Sequence, residues 1–446
     1  MPHKLTLSQA LRLSSVPCLA LVGAGGKTTA LFQIARELKP PVFVTATTHL
    51  AKDQLDLADR HIIVRGQKDL KVLDYRLDEG VILVTGALEG ERTCGVDANS
   101  LKNLYSISKE CSIPMLIEAD GSRQLPLKAP AEHEPAIPDF VDTVVVVAGL
   151  SGLGKPLTSE WVHRPELFAS LSGLVSGDII SVDALAKVLT SPSGGLKGIP
   201  PRAQRILLIN QVDILELQAM ALQLATKLIP EYRAIVVASL RPPSGFPRIL
   251  AVHEPVAGII LAAGGSRRMG QPKQLLPWKG EPLVRHVAKT ALAASLSPVI
   301  LVTGDHGAQI QAAVQDLAVT LVQNPDWEVG QSTSVQAGVR ALSRKNGAAI
   351  ILLADQPWVT VTLLRSLVES HAETLARIVA PQVAGQRANP VLFDRLTFHD
   401  FMFIRGDRGG RSLFSKYPVQ WLEWQDANLL LDIDTPEDYR RLLAEE

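Results

Sequence analysis

Cysteine is scarce in this chain of 446 residues: Cys18, Cys94 and Cys111 stand far apart, with no Cys-x-x-Cys pair. That spacing argues against a disulfide framework and against a structural zinc site. Charge of either sign is not in excess, because 45 Lys and Arg balance 45 Asp and Glu. No basic surplus therefore points to a nucleic-acid partner. No apolar run approaches the roughly 18 residues a membrane span needs, and the first fifteen residues lack a signal peptide's apolar core. These absences predict a cytoplasmic protein with neither nucleic acid nor membrane as partner. What remains is a globular balance of 46% hydrophobic and 20% charged residues, at a length that implies about two to three domains.

The N-terminal half reads as alternating apolar strands and helical stretches. Cys18 to Val22 is a strand, followed by Gly23-Ala-Gly-Gly-Lys-Thr-Thr29 and a helical pattern through Leu38. Strand, glycine loop and helix in that order suit a phosphate: backbone amides cradle it, Lys27 reaches it, and Thr28 can hold Mg²⁺. Gly23, Gly25, Gly26, Lys27, Thr28 and Thr29 are thus candidate nucleotide contacts, for ATP or GTP. The loop is short, since the full motif's first glycine would fall at Leu21. A plain glycine turn closing a βα unit is the alternative.

Val42 to Thr45 is the next strand, with Thr47 and Thr48 after it as candidates for touching metal or γ-phosphate. Met115 to Gly121 ends a further strand in Glu118 and Asp120, where a phosphate-loop protein keeps its Mg²⁺-associated acid. Asp120 is the candidate. Residues 121–138 are dense in proline and predict an exposed or lid-like loop carrying Arg123, Lys128, Glu132, His133 and Glu134. Ile206 to Asp213 ends in Asn210-Gln-Val-Asp213, which mimics a guanine-reading Asn-Lys-x-Asp with Gln211 in place of the lysine. The proline-rich stretch 241–247 predicts a linker, so the first domain is placed at residues 1–247 and the second at 254–446.

The second domain opens with a short apolar strand, Gly258 to Leu261, running into Ala262-Ala-Gly-Gly-Ser-Arg-Arg-Met-Gly-Gln-Pro-Lys273. Small residues allow close backbone approach, Ser266 adds a hydroxyl, and Arg267, Arg268 and Lys273 add positive charge, a combination that suits a triphosphate. Ala349 to Pro357 is an apolar strand ending in Asp355, whose carboxylate can bind Mg²⁺ opposite the Gly264-Gly265 loop. Mg²⁺ needs only a few carboxylates and fills its shell with phosphate oxygens and water. Near the C-terminus, Thr435, Pro436 and Asp438 read as N-cap, N1 and N3 of a last helix, with Asp434 just outside it. The loop Arg405-Gly-Asp-Arg-Gly-Gly-Arg411 places Asp407, Arg408 and Arg411 where they fit a phosphorylated second substrate. Solvated turns are the alternative for these loops.

The Leu261-Ala-Ala-Gly opening, with its continuation Gln274-Leu-Leu-Pro-Trp-Lys-Gly-Glu-Pro-Leu283, resembles the signature loop of nucleotidyltransferases of molybdenum-cofactor synthesis. The likeness is to the cytidylyltransferase (MocA-like) branch and covers residues 254–446. The guanylyl branch usually has a second glycine in place of Ala263 and an Asp in place of Pro272. The resemblance implies a doubly wound, Rossmann-like fold and Mg²⁺-dependent transfer of CMP from CTP to Mo-molybdopterin. In that reading Ala262 to Ser266, Ser332 and Ser334 lie beside the nucleotide, Arg267 and Lys273 hold the triphosphate, and Asp355 and Asp434 hold metal. Asn389, Asp407, Arg408 and Arg411 then meet the acceptor, although Ala388 departs from the usual Gly-x-Pro segment.

The N-terminal motifs, with Pro126-Leu-Lys-Ala-Pro-Ala-Glu-His-Glu-Pro135, resemble the accessory proteins of selenium-dependent molybdenum hydroxylases (YqeC-like). That likeness implies a phosphate-loop-like three-layer α/β domain acting in hydroxylase maturation, with a molybdenum hydroxylase or its chaperone as client. Alternatives stay open: a transferase for a sugar or polyol phosphate, a GTP-using guanylyltransferase, or a cofactor-insertion chaperone whose nucleotide sites act as switches.

Overall fold

A computed structural model describes residues 5–66, 69, 80–243, 247–265 and 269–444. The chain divides into two compact units, Met1–His253 and Glu254–Glu446. Both are α/β. Among the described residues no helix is long and apolar enough to cross a membrane.

The first unit is built on a nine-stranded sheet. Its strands are β1 (Cys18–Gly23), β2 (Val42–Ala46), β3 (Arg60–Ile63), β4 (Val81–Thr85), β5 (Met115–Glu118), β6 (Thr143–Gly149), β7 (Gln204–Asn210), β8 (Ala234–Ala238) and β9 (Ile249–His253). They lie in the order β9-β8-β7-β6-β1-β5-β2-β4-β3. Every pairing is parallel except β8 with β9. The central strands are apolar throughout because both sheet faces are covered; β2, β4, β5 and β6 are buried at every position.

Helix α1 (Lys27–Glu37) follows β1 directly and turns Ala30, Leu31, Ile34 and Ala35 into the core, at the spacing a helix requires. The helices α2 (Ala98–Glu110), α3 (Pro165–Ser172), α4 (Val182–Thr190) and α5 (Leu215–Leu228) add to the cover. Strand β9 lies where the sequence predicts only a gap after the linker. Its pairing with β8 carries the first unit through His253, six residues beyond the predicted boundary at 247.

In the second unit β10 (Val256–Ala262), β11 (Val299–Thr303), β12 (Val319–Gln323) and β13 (Ala348–Leu353) pair in parallel, in the order β12-β11-β10-β13. Beyond β13 the sheet continues with β14 (Ile378–Val383), β15 (Gln386–Arg387), β16 (Val391–Asp394) and β17 (Val419–Glu423); β16 runs antiparallel to both β13 and β14. Side-chain alternation along β10 feeds two cores, one on each face. Val256, Ile260 and Ala262 join α6 (Leu283–Ala293) on one side, while Ala257 and Ile259 meet α8 (Gln331–Arg340) on the other. Helix α7 (Gly307–Val314) adds Ile310 and Val314 to the first core. This layering is the doubly wound arrangement expected from alternating strands and helices.

Each unit has its own core, so each should fold alone. Fragments 1–253 and 254–446 are expected to be soluble and to melt cooperatively. A fragment ending at 247 should melt below 1–253, because it loses β9 and exposes the edge of β8. Differential scanning calorimetry of the three fragments checks both statements; a 1–247 fragment as stable as 1–253 would deny β9 any structural weight.

Candidate nucleotide sites

The first unit gathers its polar residues where β1, β5 and β6 end. Gly23, Gly25 and Gly26 all have positive φ, and a Cβ on Gly23 would stand 2.2 Å from Val147 O. The loop therefore requires glycine there. The N–H of Gly23 donates to both oxygens of Asp120, at 3.1 and 3.0 Å. Ala24 N donates to Val147 O at 2.9 Å and Gly25 N to Leu125 O at 3.0 Å. These three amides are thus engaged within the protein, which narrows the predicted cradle. The amides available to a phosphate are those of the first turn of α1, from Gly26 to Thr29, which have no intrahelical acceptor.

Lys27 is buried and donates to Gly23 O at 2.8 Å and Ser122 Oγ at 3.2 Å, with Asp120 at 3.3 Å and Glu118 at 3.8 Å. Thr28 Oγ1 donates to Glu118 Oε2 at 2.9 Å. The acid facing Thr28 is therefore Glu118 and not Asp120. Asp120 is taken up by the Gly23 amide, Lys27 and Lys128. Burial pushes the Glu118 carboxyl above its ordinary range, outweighing the pull of Lys27 and Thr28. The buried hydroxyls of Thr47 and Thr48 have no hydrogen-bond partner among the described residues, so each would gain from a ligand oxygen or cation.

The proline-rich segment departs from the exposed loop predicted for it. Arg123, Glu132 and His133 are exposed, but Lys128 and Glu134 are buried. Lys128 Nζ donates to Asp120 Oδ2 and Glu134 Oε2, each at 2.8 Å, and to Gly121 O at 2.7 Å. Arg164 forks onto Glu134 at 2.7 and 3.0 Å. Burial alone would raise the Glu134 carboxyl, but Arg164 and Lys128 overcome it and hold the pKa at about 2.

In the second unit the loop after β10 is pinned by Gln274, which is buried and donates through Nε2 to Ala262 O at 3.3 Å and Gly264 O at 2.8 Å. Gly265 lies against the Trp327 ring, where a Cβ would approach to 2.8 Å. Ser266, Arg267 and Arg268 lie outside the described residues. Lys273 Nζ stands between two carboxylates, donating to Asp434 Oδ1 at 2.8 Å and pairing with Asp355 Oδ2. Burial works against the Lys273 charge, yet the two carboxylates raise its pKa above the ordinary range.

A small apolar cluster sets this geometry. Met269, Leu276, Trp278, Leu283, Ile433 and Leu442 bury together and fasten the last helix, α9 (Pro436–Ala444), to the Lys273 segment. Such burial contributes about 1.5–3 kcal/mol per large side chain. Thr435 and Asp438 cap that helix reciprocally, at 2.9 Å and 3.3 Å, which leaves Asp434 facing Lys273.

Ser332 and Ser334 are buried on α8, and Asn324 Nδ2 donates to Ser334 Oγ at 2.9 Å. Ser334 is thereby tied to the segment ahead of the helix, and Ser332 N donates to Gly406 O at 3.0 Å. Asp407 accepts from Gln331 N at 3.2 Å and Arg408 is exposed. A cavity of about 60 Å³ collects Asn389 and Arg411 with Arg387, Phe393 and Phe414. Arg387 stacks over Phe414 at 4.8 Å; its guanidinium pKa is lowered by burial and by Arg411. Neither arginine has a carboxylate partner among the described residues, which suits the cavity to an anion.

Residues 258–421 match the family described as MobA-like NTP transferase domain, and residues 19–166 match YqeC protein. The relative named Uncharacterized protein YqeC, of Escherichia coli (strain K12), is 33% identical over 204 residues, covering 43% of this chain and 75% of its own. Purine catabolism protein PucB of Bacillus subtilis (strain 168) is 38% identical over 193 residues, covering 41% and 93%. The chain belongs to both families. It joins a YqeC domain to a MobA-like nucleotidyltransferase domain. Molybdenum cofactor cytidylyltransferase of Escherichia coli (strain K12) is 29% identical over 182 residues, covering 41% of this chain and 92% of its own.

Several site residues of the two domains escape sequence reasoning. Gln274 directly follows Lys273 in the signature stretch, and Arg387 directly precedes Ala388; neither position by itself reveals its contacts. Lys128, Glu134 and Arg164 were hidden because an ion network across 36 positions has no local period.

In the YqeC domain the Glu134 network gives a pH signature. Its folded pKa of about 2 lies below the ordinary 4.5. The stabilisation is therefore complete above pH 4.5 and is lost as pH falls from there toward 2. Melting temperature of fragment 1–253 should drop across that window, and Glu134→Gln should flatten the drop. An unchanged profile in the variant would remove Glu134 as the titrating group.

Proposed function

We propose that the nucleotidyltransferase domain transfers CMP from CTP to Mo-molybdopterin with release of pyrophosphate, and that the YqeC domain is a nucleotide-binding module for hydroxylase maturation. The observation that carries this reading is Lys273 held between Asp355 and Asp434 beside the glycine loop. Two carboxylates that share one ammonium can share one divalent cation, and Mg²⁺ demands no more from protein. When bound, the metal would supply positive charge to the phosphate oxygens. Asp355 and Asp434 would hold it, with Thr28 and Glu118 as the corresponding pair in the YqeC domain.

The chemistry asks for positioning rather than a side-chain nucleophile. An oxygen of the acceptor's terminal phosphate attacks the α-phosphorus of CTP, and the bond to the pyrophosphate oxygen breaks, with no net proton transfer. Lys273 and Arg267 would balance charge on the triphosphate, and the loop amides of Ala262 to Gly265 would approach it closely. The cavity with Arg387, Arg411 and Asn389 supports an anionic acceptor, its phosphate meeting the arginines and its ring meeting Phe393 and Phe414. The name of the Escherichia coli cytidylyltransferase and the Ala262-Ala263 pair support CTP as donor.

Asp355→Asn should lower cytidylyl transfer by at least about a hundredfold, the scale of losing one key electrostatic group. The melting temperature should change little, because Lys273 keeps Asp434. Pyrophosphate release from CTP, Mg²⁺ and purified cofactor measures the rate, and a mass spectrum of the product tests the acceptor; turnover near normal would remove Asp355 from the metal site.

Base choice is tested separately by kcat/KM for CTP and GTP. CTP should be preferred, by a margin of about 1–3 kcal/mol if steric fit alone decides. Ala263→Gly should erode that preference. A chain that prefers GTP would overturn the cytidylyl assignment.

A further inference from the structure

The YqeC domain has a second polar cluster at the ends of β7 and β8 that phosphate binding does not use. Asn210 is buried and bonded at both side-chain heteroatoms: its Nδ2 donates to Gly25 O at 2.6 Å and its Oδ1 accepts from Leu240 N at 3.0 Å. One side chain thus ties the phosphate loop to the ends of two neighbouring strands. Gln211 follows with φ 63, and its Oε1 accepts from Ser151 Oγ at 2.6 Å. That left-handed turn sends Val212 into the core, where its N–H donates to Ala238 O at 3.2 Å, and brings Asp213 out half-buried. Ser239 is fully buried, its N–H donating to Arg248 O at 2.9 Å and its hydroxyl to Asp213 Oδ1. Asp213 therefore has one oxygen anchored. Among the described residues no cation pairs with it.

We infer that this cluster reads the base of the nucleotide whose phosphates the Gly23–Gly26 loop holds, and that the base is guanine. The inference rests on the nucleotide reading of that loop. Asp213 lies three positions after Asn210, which touches the loop, a reach of at most about 10 Å. An ionised carboxylate only accepts hydrogen bonds. The guanine edge offers it two adjacent donors, N1–H and the exocyclic N2 amine. Adenine presents at the same edge an acceptor, N1, beside a single donor, so one carboxylate oxygen would face a lone pair. Xanthine replaces the N2 amine by a carbonyl and loses that pairing too. Asn210 keeps the carboxylate at a set distance from the loop, so the discrimination is built in rather than induced.

The test uses the full chain with Mg²⁺ and a fluorescent N-methylanthraniloyl GTP probe, displaced by GTP, ATP or XTP. GTP should compete at least about 100-fold better than ATP or XTP, a threshold set well under the roughly 10⁴-fold that a hydrogen-bonding site achieves against an analogue lacking its donors. Asp213→Asn presents an amide donor to the xanthine carbonyl and should invert the GTP:XTP ratio, a gain that misfolding cannot mimic. Lys27→Met, with its melting temperature checked, identifies the part of the signal that belongs to this loop rather than to the transferase domain. ATP binding as well as GTP, or an unchanged GTP:XTP ratio in Asp213→Asn, overturns the guanine assignment while leaving nucleotide binding intact. If no triphosphate shows Lys27-dependent binding, the nucleotide reading of the loop falls, and the base assignment with it.

Discussion

Parallel pairing of β1 with β5 and β6, and of β10 with β11 and β13, is the constraint on which the rest of both units depends. Parallel neighbours end on the same edge, so the loops that leave them meet there, beside the first turns of the following helices. Such an edge concentrates backbone groups that the ladder no longer serves. In the first unit Asp120 takes the Gly23 amide and Asn210 takes the Gly25 carbonyl. In the second, Gln274 takes the Ala262 and Gly264 carbonyls. Each glycine loop is shaped by a buried polar side chain from elsewhere in its own unit.

The two units reach the same electrostatic solution from different elements. Lys27 lies with Glu118 and Asp120, and Lys273 with Asp355 and Asp434. Removing charges from water costs several kcal/mol per ion, and close opposite partners are needed to offset it. A lysine between two acids is therefore a stable way to keep ionised side chains together at one edge. In the first unit the arrangement extends through Lys128 to Glu134 and Arg164, which ties the proline-rich segment down. A short parallel ladder, Leu127–Lys128 with Val162–His163, joins the same two segments as the ion network.

Much was legible in the residues alone. Apolar runs located the central strands of both sheets, glycines and lysines located both loops, and the capping pattern at Thr435, Pro436 and Asp438 located the last helix. These signals are local: a strand, a turn or a cap needs only its own few neighbours. Charged residues in a proline-rich stretch looked solvated for the same reason, since nothing nearby in the sequence reveals Arg164 arriving from a distant turn. Strand β9 was missed because five residues beside a linker form a strand only where β8 offers an open edge.

Sequence by itself determined the α/β class, the two-family composition and the chemistry brought to each strand end, because residue type and period suffice for these. Tertiary structure decided which acid faces which cation. Glu118 rather than Asp120 meets Thr28, because the Gly23 amide and Lys128 converge on Asp120 and leave Glu118 between β1 and β2. Asp434 meets Lys273 across 161 positions because an apolar cluster holds the last helix in place. Partner choice of this kind follows from three-dimensional distance and burial, which no local pattern encodes.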